Sequence, residues 1–154
     1  MSAEDRLKEL GFELPPAPKA VGVYKPALTI DNLVYTSGHL PMMPDGSLLT
    51  GCVGKGSTQE QGYDAAKQAG LAILATLQAH LGSLNKVKRV VKIFGMVYCT
   101  DDFIQQPAVV NGCSELMASV FGDDVGVGTR SAVGVAALPL GVLVEVEGIF
   151  EIEA

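Results

Sequence analysis

Apolar side chains recur along this chain with two different spacings, and each spacing predicts a type of secondary structure. From Ser57 to Leu81 they return every three or four residues, the period of an amphipathic helix. Ser57-Thr-Gln-Glu60 has the spacing of a capping box, so we expect this helix to begin there and to stop at Gly82. A second helical pattern follows Pro107, and its apolar side consists of Val109, Val110, Cys113, Leu116, Met117 and Val120.

Runs rich in β-branched and aromatic residues predict the strands. We place them at Val21–Leu28, Leu33–Ser37, Val87–Tyr98, Arg130–Ala136 and Val142–Glu151. Asp31-Asn32 separates the first two runs, which therefore predict a hairpin. The other connections are a loop containing Gly38, Pro41, Pro44 and Asp45-Gly46, a turn at Gly122-Asp-Asp124, and the link Leu138-Pro139.

The first 20 residues differ from the rest of the chain. Met1–Leu10 is charged and amphipathic, which predicts a short helix and not a signal peptide. Phe12–Ala20 contains three prolines, so we expect an extended strap there. No apolar run approaches the length of about 20 residues that spans a bilayer. We expect a cytoplasmic protein without a membrane partner.

The predicted order is strand, strand, helix, strand, helix, strand, strand. This order favours one α+β domain over residues 1–154, with a mixed sheet and two helices on one of its faces. The other face of the sheet needs a cover. Hydrophobic residues make up 48% of the chain and charged residues only 18%, against a typical charged content of about 25%. We therefore expect a homo-oligomer that buries the second face.

Charge and cysteine content argue against several classes of function. The net charge is −6, whereas nucleic-acid binding normally needs a basic stripe. The one cationic cluster alternates with valines, which is typical of a solvated strand edge, with an RNA-contacting strip as the weaker alternative; its members are Lys86, Lys88, Arg89 and Lys92. The three cysteines have neither an even count nor a metal-like spacing, so we expect no disulfide framework and no metal site.

Arg130 is the only cation after Lys92, and it lies in an otherwise apolar run. A guanidinium stays charged and is costly to bury unpaired, so it needs an anion, either a protein carboxylate or a ligand. Glu145 and Glu147 lie on one side of the last predicted strand, and Glu151 and Glu153 continue the same parity. Such a row of four carboxylates is more typical of a solvated face than of a catalytic set, but one member close to Arg130 could pair with it and hold a water molecule.

The remaining polar candidates are less specific. Tyr24, Ser37 and Asn111 lie near the ends of predicted elements and by residue type alone are structural hydrogen bonders. His39 is a candidate acid or base, although no partner pattern accompanies it. No phosphate-binding glycine motif or nucleophile elbow is present, so nucleotide enzymes and hydrolases of the usual kinds lack support.

Four segments of the chain together form a recognisable pattern: Gly22-Val-Tyr24, Tyr35-Thr-Ser-Gly-His-Leu-Pro41, Thr129-Arg-Ser-Ala-Val-Gly-Val-Ala-Ala-Leu-Pro139 and Val144-Glu-Val-Glu-Gly-Ile149. With these segments the chain resembles the RidA (YjgF-like) family of enamine and imine deaminases. The resemblance runs from Val21 to the C-terminus. It implies a chorismate-mutase-like fold, a homotrimer whose three sheets form a central barrel, and ligand clefts between neighbouring subunits.

The resemblance also implies roles for individual residues. The family's arginine at the position of Arg130 grips the substrate carboxylate, and its glutamate at the position of Glu145 positions the attacking water. Tyr24, Ser37 and Asn111 match positions that line the cleft. The implied reaction needs no cofactor: 2-aminoacrylate or a related 2-imino acid is hydrolysed to a 2-keto acid and ammonia.

The chain departs from the family pattern beside Arg130. Ala132 stands where deaminases of the family often carry cysteine, and Gly134 and Ala137 replace larger polar or charged residues. His39 replaces the usual glutamine, while the N-terminal helix, the strap and a longer middle loop exceed the family core. These departures indicate a divergent subgroup with an altered cleft.

Two alternatives to imine hydrolysis remain open at this point. The first is a non-catalytic trimer that senses a 2-keto acid or similar small carboxylate through Arg130, because binding and turnover both need the guanidinium. The second is the endoribonuclease or translation-inhibitor activity attached to some relatives. The acidic charge and the absence of a pair of histidines argue against the second alternative.

Overall fold

The computed structural model describes residues 1–154. The helices are α1 (Ala3–Glu9), α2 (Gln59–Leu81), α3 (Gln106–Phe121) and the single turn α4 (Asp123–Gly126). The strands are β1 (Ala27–Ile30), β2 (Leu33–Thr36), β3 (Cys52–Val53), β4 (Gly56–Ser57), β5 (Val87–Tyr98), β6 (Thr129–Val135) and β7 (Val144–Ile152). None of the helices is long and apolar enough to cross a bilayer.

Five strands form one mixed sheet in the order β1-β2-β7-β5-β6. Only β5 and β6 run parallel, because α3 and α4 connect them, and the other neighbours are antiparallel. The two long helices α2 and α3 pack against each other and against one face of this sheet. The α+β arrangement with two helices on one face, expected from the order of the elements, is confirmed.

The core lies between the two long helices and the sheet. Phe150 and Val97 of the sheet and Ile73, Leu74 and Met117 of the helices are fully buried there. The helices come close at Gly112, where an added Cβ would lie 2.0 Å from the carbonyl oxygen of Tyr63. Cys113 is buried beside this contact, which confirms its prediction as a core residue.

The opposite face of the sheet is partly exposed. Side chains alternate between the faces along β5, so that Val90, Ile93 and Val97 are buried while Phe94 and Met96 between them are only partly covered. The corresponding positions of β7 hold carboxylates, since Glu145 and Glu151 are partly exposed and Glu147 is exposed. This face therefore combines apolar and acidic side chains.

The N-terminal helix and strap are tied to the helical layer. The carboxylate of Glu4 accepts hydrogen bonds from Ser83 Oγ at 2.8 Å and from the amide of Leu84 at 3.1 Å, and Leu7 is buried. The strap that follows has no regular secondary structure, as its prolines predicted. Phe12 in the strap lies under the Lys67 ammonium of α2.

The predicted start of α2 is wrong by one residue. Thr58 caps the helix: its hydroxyl accepts from the Gln61 amide at 3.1 Å, and Gln61 Oε1 accepts from the Thr58 amide at 2.8 Å. Ser57 does not cap because it belongs to β4, where it pairs with Val53. Gly82 ends the helix as expected, in the left-handed conformation that a glycine adopts at low cost.

Two further boundaries differ from the predictions. The first strand begins at Ala27 and not at Val21, because Val21–Tyr24 finds no partner in the sheet and bends through solvent. The predicted turn at Gly122-Asp-Asp124 continues into the short helix α4. The other predicted strands and α3 agree with the structure to within a few residues.

Candidate functional site

The register of the sheet separates Arg130 from Glu145 within one chain. Arg130 of the edge strand β6 pairs with Ile93, which is buried under the helices, and residues paired in register point to the same face. Glu145 pairs with Met96 on the opposite, partly exposed face. The guanidinium and the carboxylate therefore belong to two different groups of side chains.

Asn111 and Ser114 of α3 orient Arg130. The Arg130 Nη1 atom donates to Asn111 Oδ1 at 2.6 Å and lies 3.3 Å from Ser114 Oγ. Both partners are uncharged and stand three residues apart, on one face of the helix. We call Arg130, Asn111 and Ser114 the arginine group. Sequence reasoning missed Ser114, although its spacing from Asn111 is a usable signal.

The charge of Arg130 is not neutralised inside the chain. The one ion pair in the structure joins Arg89 Nε to Glu151 at 3.7 Å, and Arg130 itself is exposed. No carboxylate of the same chain therefore pairs with Arg130, and because the guanidinium is exposed here, the burial cost expected from the sequence does not arise within one chain. Nearby Cys113 is no anion either, because burial raises the pKa of its thiol to about 12 and the Arg130 charge offsets only part of that rise.

A β-bulge positions Ser37. Tyr35 pairs with Ile149 and His39 with Val146, so four steps along one strand oppose three along the other. Because of the extra residue, Ser37 departs from strict alternation, and its hydroxyl donates to the carbonyl of Lys25 at 2.5 Å.

Glu145 lies against the glycine of this bulge. A Cβ added to Gly38 would come within 2.5 Å of Glu145 Oε2, so only glycine leaves room for the carboxylate there. Burial, and then the neighbouring charge of Glu147, raise the pKa of the Glu145 carboxyl. A carboxyl of raised pKa accepts and returns a proton more readily near neutral pH.

Tyr24 completes this second group. It lines a small cavity of about 160 Å³ together with Ser37, Gly38 and His39. Its hydroxyl accepts a hydrogen bond from the Val21 amide at 3.4 Å, and about half of the side chain is exposed. We call Tyr24, Ser37 and Glu145 the glutamate group, because Tyr24 and Ser37 line this cavity and Glu145 lies against Gly38, which also lines it. The five predicted site residues thus divide between this group and the arginine group.

His39 connects the bulge to α2. Its Nδ1 lies 2.6 Å from the carbonyl oxygen of Ser37 and its Nε2 lies 2.7 Å from Thr76 Oγ1. A carbonyl only accepts, so Nδ1 carries a proton and Nε2 accepts from the threonine hydroxyl. Burial lowers the pKa of the imidazole, which favours this neutral form. With both nitrogens occupied, His39 supports the bulge and is not an exposed acid or base.

The small residues after Arg130 lie on the side of the arginine group. Ala132 and Gly134 follow at two and four positions along β6. Gly134 adjoins Cys99 and Gln106 at a cavity of about 310 Å³. No three His, Cys, Asp or Glu side chains cluster in the geometry of a metal site.

Comparison with known proteins identifies the family of this chain. A family profile described as "YjgF/chorismate_mutase-like, putative endoribonuclease" matches residues 4–152. The chain belongs to the RidA (YjgF-like) family. Protein TCP17 of Trypanosoma cruzi is 40% identical over 146 residues, which cover 95% of this chain and 91% of that protein. The fold is accordingly chorismate-mutase-like.

Two further RidA-family relatives extend the likeness. The crystal structure of Atu1372 from Agrobacterium tumefaciens, a protein of unknown function, superposes on this chain with a TM-score of 0.90 and 41% sequence identity. The alignment covers 99% of this chain and 94% of Atu1372. The 2-iminobutanoate/2-iminopropanoate deaminase of Dermatophagoides farinae is 33% identical and covers 90% of this chain and 93% of its own. The family therefore includes a protein named for imine hydrolysis.

Proposed function

We propose that this protein is an imine deaminase that hydrolyses 2-aminoacrylate or a related 2-imino acid to a 2-keto acid and ammonia, without a cofactor. The observation that carries the proposal is that Arg130 is held in place by hydrogen bonds but has no ion-pair partner in the chain. Two uncharged side chains orient its guanidinium, and no carboxylate of the chain pairs with it. A fixed, unpaired guanidinium is a receptor for a ligand carboxylate, which it binds with two parallel hydrogen bonds.

The active unit that we propose is a homotrimer. One chain holds the arginine group and the glutamate group on opposite faces of its sheet, so a substrate that contacts both groups needs a second chain. Arg130 lies on the edge strand β6, beside which a neighbouring sheet can pack. Closed three-fold symmetry then forms three equal clefts, with the arginine group of one subunit facing the glutamate group of the next.

The reaction needs only water and proton transfer. The substrate carboxylate binds Arg130, which leaves the C=N carbon facing the glutamate group of the neighbouring subunit. 2-Aminoacrylate reacts as its imine tautomer, formed when a proton moves from the nitrogen to the terminal carbon. Glu145 takes a proton from water as the oxygen adds to the C=N carbon and gives that proton to the nitrogen, which produces an amino alcohol. The proton of the new hydroxyl then passes through Glu145 to the nitrogen, the C–N bond breaks, ammonia leaves, and a C=O bond forms. Positioning and charge stabilisation supply most of the acceleration.

The second candidate is a trimer that binds a 2-keto acid without turnover. Ala132 and Gly134 favour it, because they are the next two residues of β6 on the same face as Arg130 and neither has a polar side chain. Nucleic-acid cleavage has less support, since the net charge is −6 and the exposed cations near the start of β5 form no extended stripe.

Mixing two impaired variants tests the shared cleft. R130A and E145Q should each lower the production of 2-keto acid, from imines that an amino-acid oxidase generates, by about a hundredfold. After joint unfolding and refolding, about a quarter of the clefts should be intact, because each draws one unaltered residue from each of two randomly mixed subunits. Recovery of activity supports the proposal, and mixed trimers without activity contradict it.

The same assay separates the two candidates. Turnover by the unaltered protein that R130A and E145Q remove supports the deaminase. If the protein binds 2-ketobutyrate through Arg130 but does not accelerate imine hydrolysis, the result contradicts the deaminase and supports the non-catalytic sensor. Lys55→Ala, which removes an exposed cation from the turn between β3 and β4, is the matched control and should behave like the unaltered protein.

A further inference from the structure

One cavity of the chain belongs to neither the arginine group nor the glutamate group. It has a volume of about 560 Å³, which lies in the range of small-molecule sites, roughly 300–1,000 Å³. Three segments supply most of its lining: Gly11 with the first two residues of the strap, the loop at residues 43–50 and the outer side of the N-terminal half of α2. We call it the strap cavity.

The charges of the strap cavity are held apart. Asp64 and Lys67 lie three residues apart on α2, a spacing at which opposite charges commonly pair. They form no ion pair, and the Lys67 ammonium lies instead 4.3 Å from the centre of the Phe12 ring of the strap. An ammonium and a carboxylate therefore border the same cavity without neutralising each other.

The balance of these charges selects the ligand. Glu13 adds a second carboxylate, so the cavity presents two negative charges and one positive charge. A purely anionic ligand such as a 2-keto acid is disfavoured there. A ligand with both an ammonium and a carboxylate satisfies Asp64 and Lys67 together, and Gln68 offers a free side-chain oxygen because its nitrogen is bonded to the Met42 carbonyl.

The remaining wall is apolar. Leu71 and Leu143 are buried at the floor of the strap cavity, and Met43 and Leu49 line it from the loop. Burying an apolar ligand side chain against this wall stabilises the complex by about 25 cal/mol per Å² of apolar surface removed from water. We propose that the strap cavity binds a free α-amino acid with a large apolar side chain, its carboxylate on Lys67 and its ammonium on Asp64.

A thin wall separates this ligand from the glutamate group. Met43 and Leu49 face the strap cavity, whereas their neighbours Met42 and Leu48 line the small cavity that holds Tyr24. The wall is a narrow loop in which Met42 bridges to Leu48, and the side-chain nitrogen of Gln68 fixes it to α2 at 2.8 Å from the Met42 carbonyl. A bound amino acid thus touches the back of the loop that shapes the glutamate group.

Methionine methyl groups report on the two sites separately. The chain has five methionines, so protein labelled with [methyl-13C]methionine gives five resolvable signals. Met43 lines the strap cavity, while Met96 pairs with Glu145 and reports on the proposed catalytic cleft. L-phenylalanine is the probe, because its ring current shifts any methyl group that it contacts.

The expected result is a saturable shift of the Met43 signal at millimolar L-phenylalanine, in the unaltered protein and equally in R130A. K67M and D64N should each weaken binding by about tenfold or more, the usual effect of removing one charge-assisted contact. K67R should retain binding because it keeps the charge. Lys88→Met, an exposed position of β5, is the matched control.

Three outcomes would overturn the proposal. One is the absence of a Met43 shift, and the second is unchanged affinity in both K67M and D64N. The third is an equal Met43 shift by phenylpyruvate, which lacks the ammonium, or by 2-phenylethylamine, which lacks the carboxylate. None of these outcomes bears on the deaminase proposal, whose own reporters are Met96 and imine turnover.

Discussion

The arginine group and the glutamate group solve different physical problems. Arg130 is an exposed cation that needs only orientation, and two uncharged side chains on α3 supply it. Glu145 is partly buried against the bulge residue Gly38, and burial raises the pKa of its carboxyl. In the proposed reaction this difference fits the two roles, because an anchor for the substrate carboxylate can remain in water whereas a proton carrier benefits from a shielded position.

The largest effect is expected where the anchor is changed. R130A should lower kcat/KM by roughly a hundredfold, because it removes a charged, two-pronged contact to the substrate. R130K should recover only part of this loss, since an ammonium keeps the charge and loses the planar fork. Steady-state kinetics on the imine measure both, and full activity of R130K would show that charge alone suffices.

The next effect concerns the proton carrier. E145Q should lower kcat by about a hundredfold, in the range of general acid–base catalysis, while 2-ketobutyrate still binds. Isothermal titration calorimetry with 2-ketobutyrate, combined with turnover measurements, separates the two quantities. If E145Q lost affinity for 2-ketobutyrate to the same extent as it lost turnover, Glu145 would act in binding and not as the proton carrier.

A smaller effect on kcat is expected from a substitution of Gly38, beside the glutamate group. G38A should lower kcat by about tenfold, because its Cβ displaces the Glu145 carboxylate from its position. The effect should vanish in an E145Q background, since a double-mutant cycle isolates the contact between the two residues. Equal losses in both backgrounds would mean that Gly38 acts on the fold and not on Glu145.

The support behind the bulge should be visible in stability. T76V keeps the shape of residue 76 but leaves His39 Nε2 without a partner, which should cost about 1–3 kcal/mol in the free energy of unfolding. Urea unfolding at pH 8 measures it. Unchanged stability would show that the imidazole does not depend on α2.

The pH dependence of the same pair follows from the lowered pKa of His39. The unfolded chain binds a proton at its ordinary value of 6.5, and the folded chain binds one only at lower pH. The stability that the neutral imidazole contributes is therefore present above pH 6.5 and is lost as the pH falls toward the folded pKa. Replacing His39 by Gln should flatten this part of the curve of unfolding free energy against pH.

Sequence patterns predicted most of the fold because they record local chemistry. The periodicities of α2, α3 and β5 placed these elements correctly, since each buries one side along its length. The errors came from tertiary pairing: Val53 recruits Ser57 into β4 and moves the cap to Thr58, and Val21 finds no partner strand. Charge and strand parity singled out Arg130 and Glu145, and the motif resemblance supplied Tyr24, Ser37 and Asn111. Residue type alone did not single out Ser114 or Thr76.

By itself, the sequence determined the α+β order of elements, the isolated cation at Arg130 and the family to which the chain belongs. Only the tertiary structure decided that Arg130 and Glu145 lie on opposite faces, that His39 is a buried support and that Lys67 is held away from Asp64. The physical reason is that periodicity and residue type are local, while strand register and the path of the strap depend on contacts between distant segments.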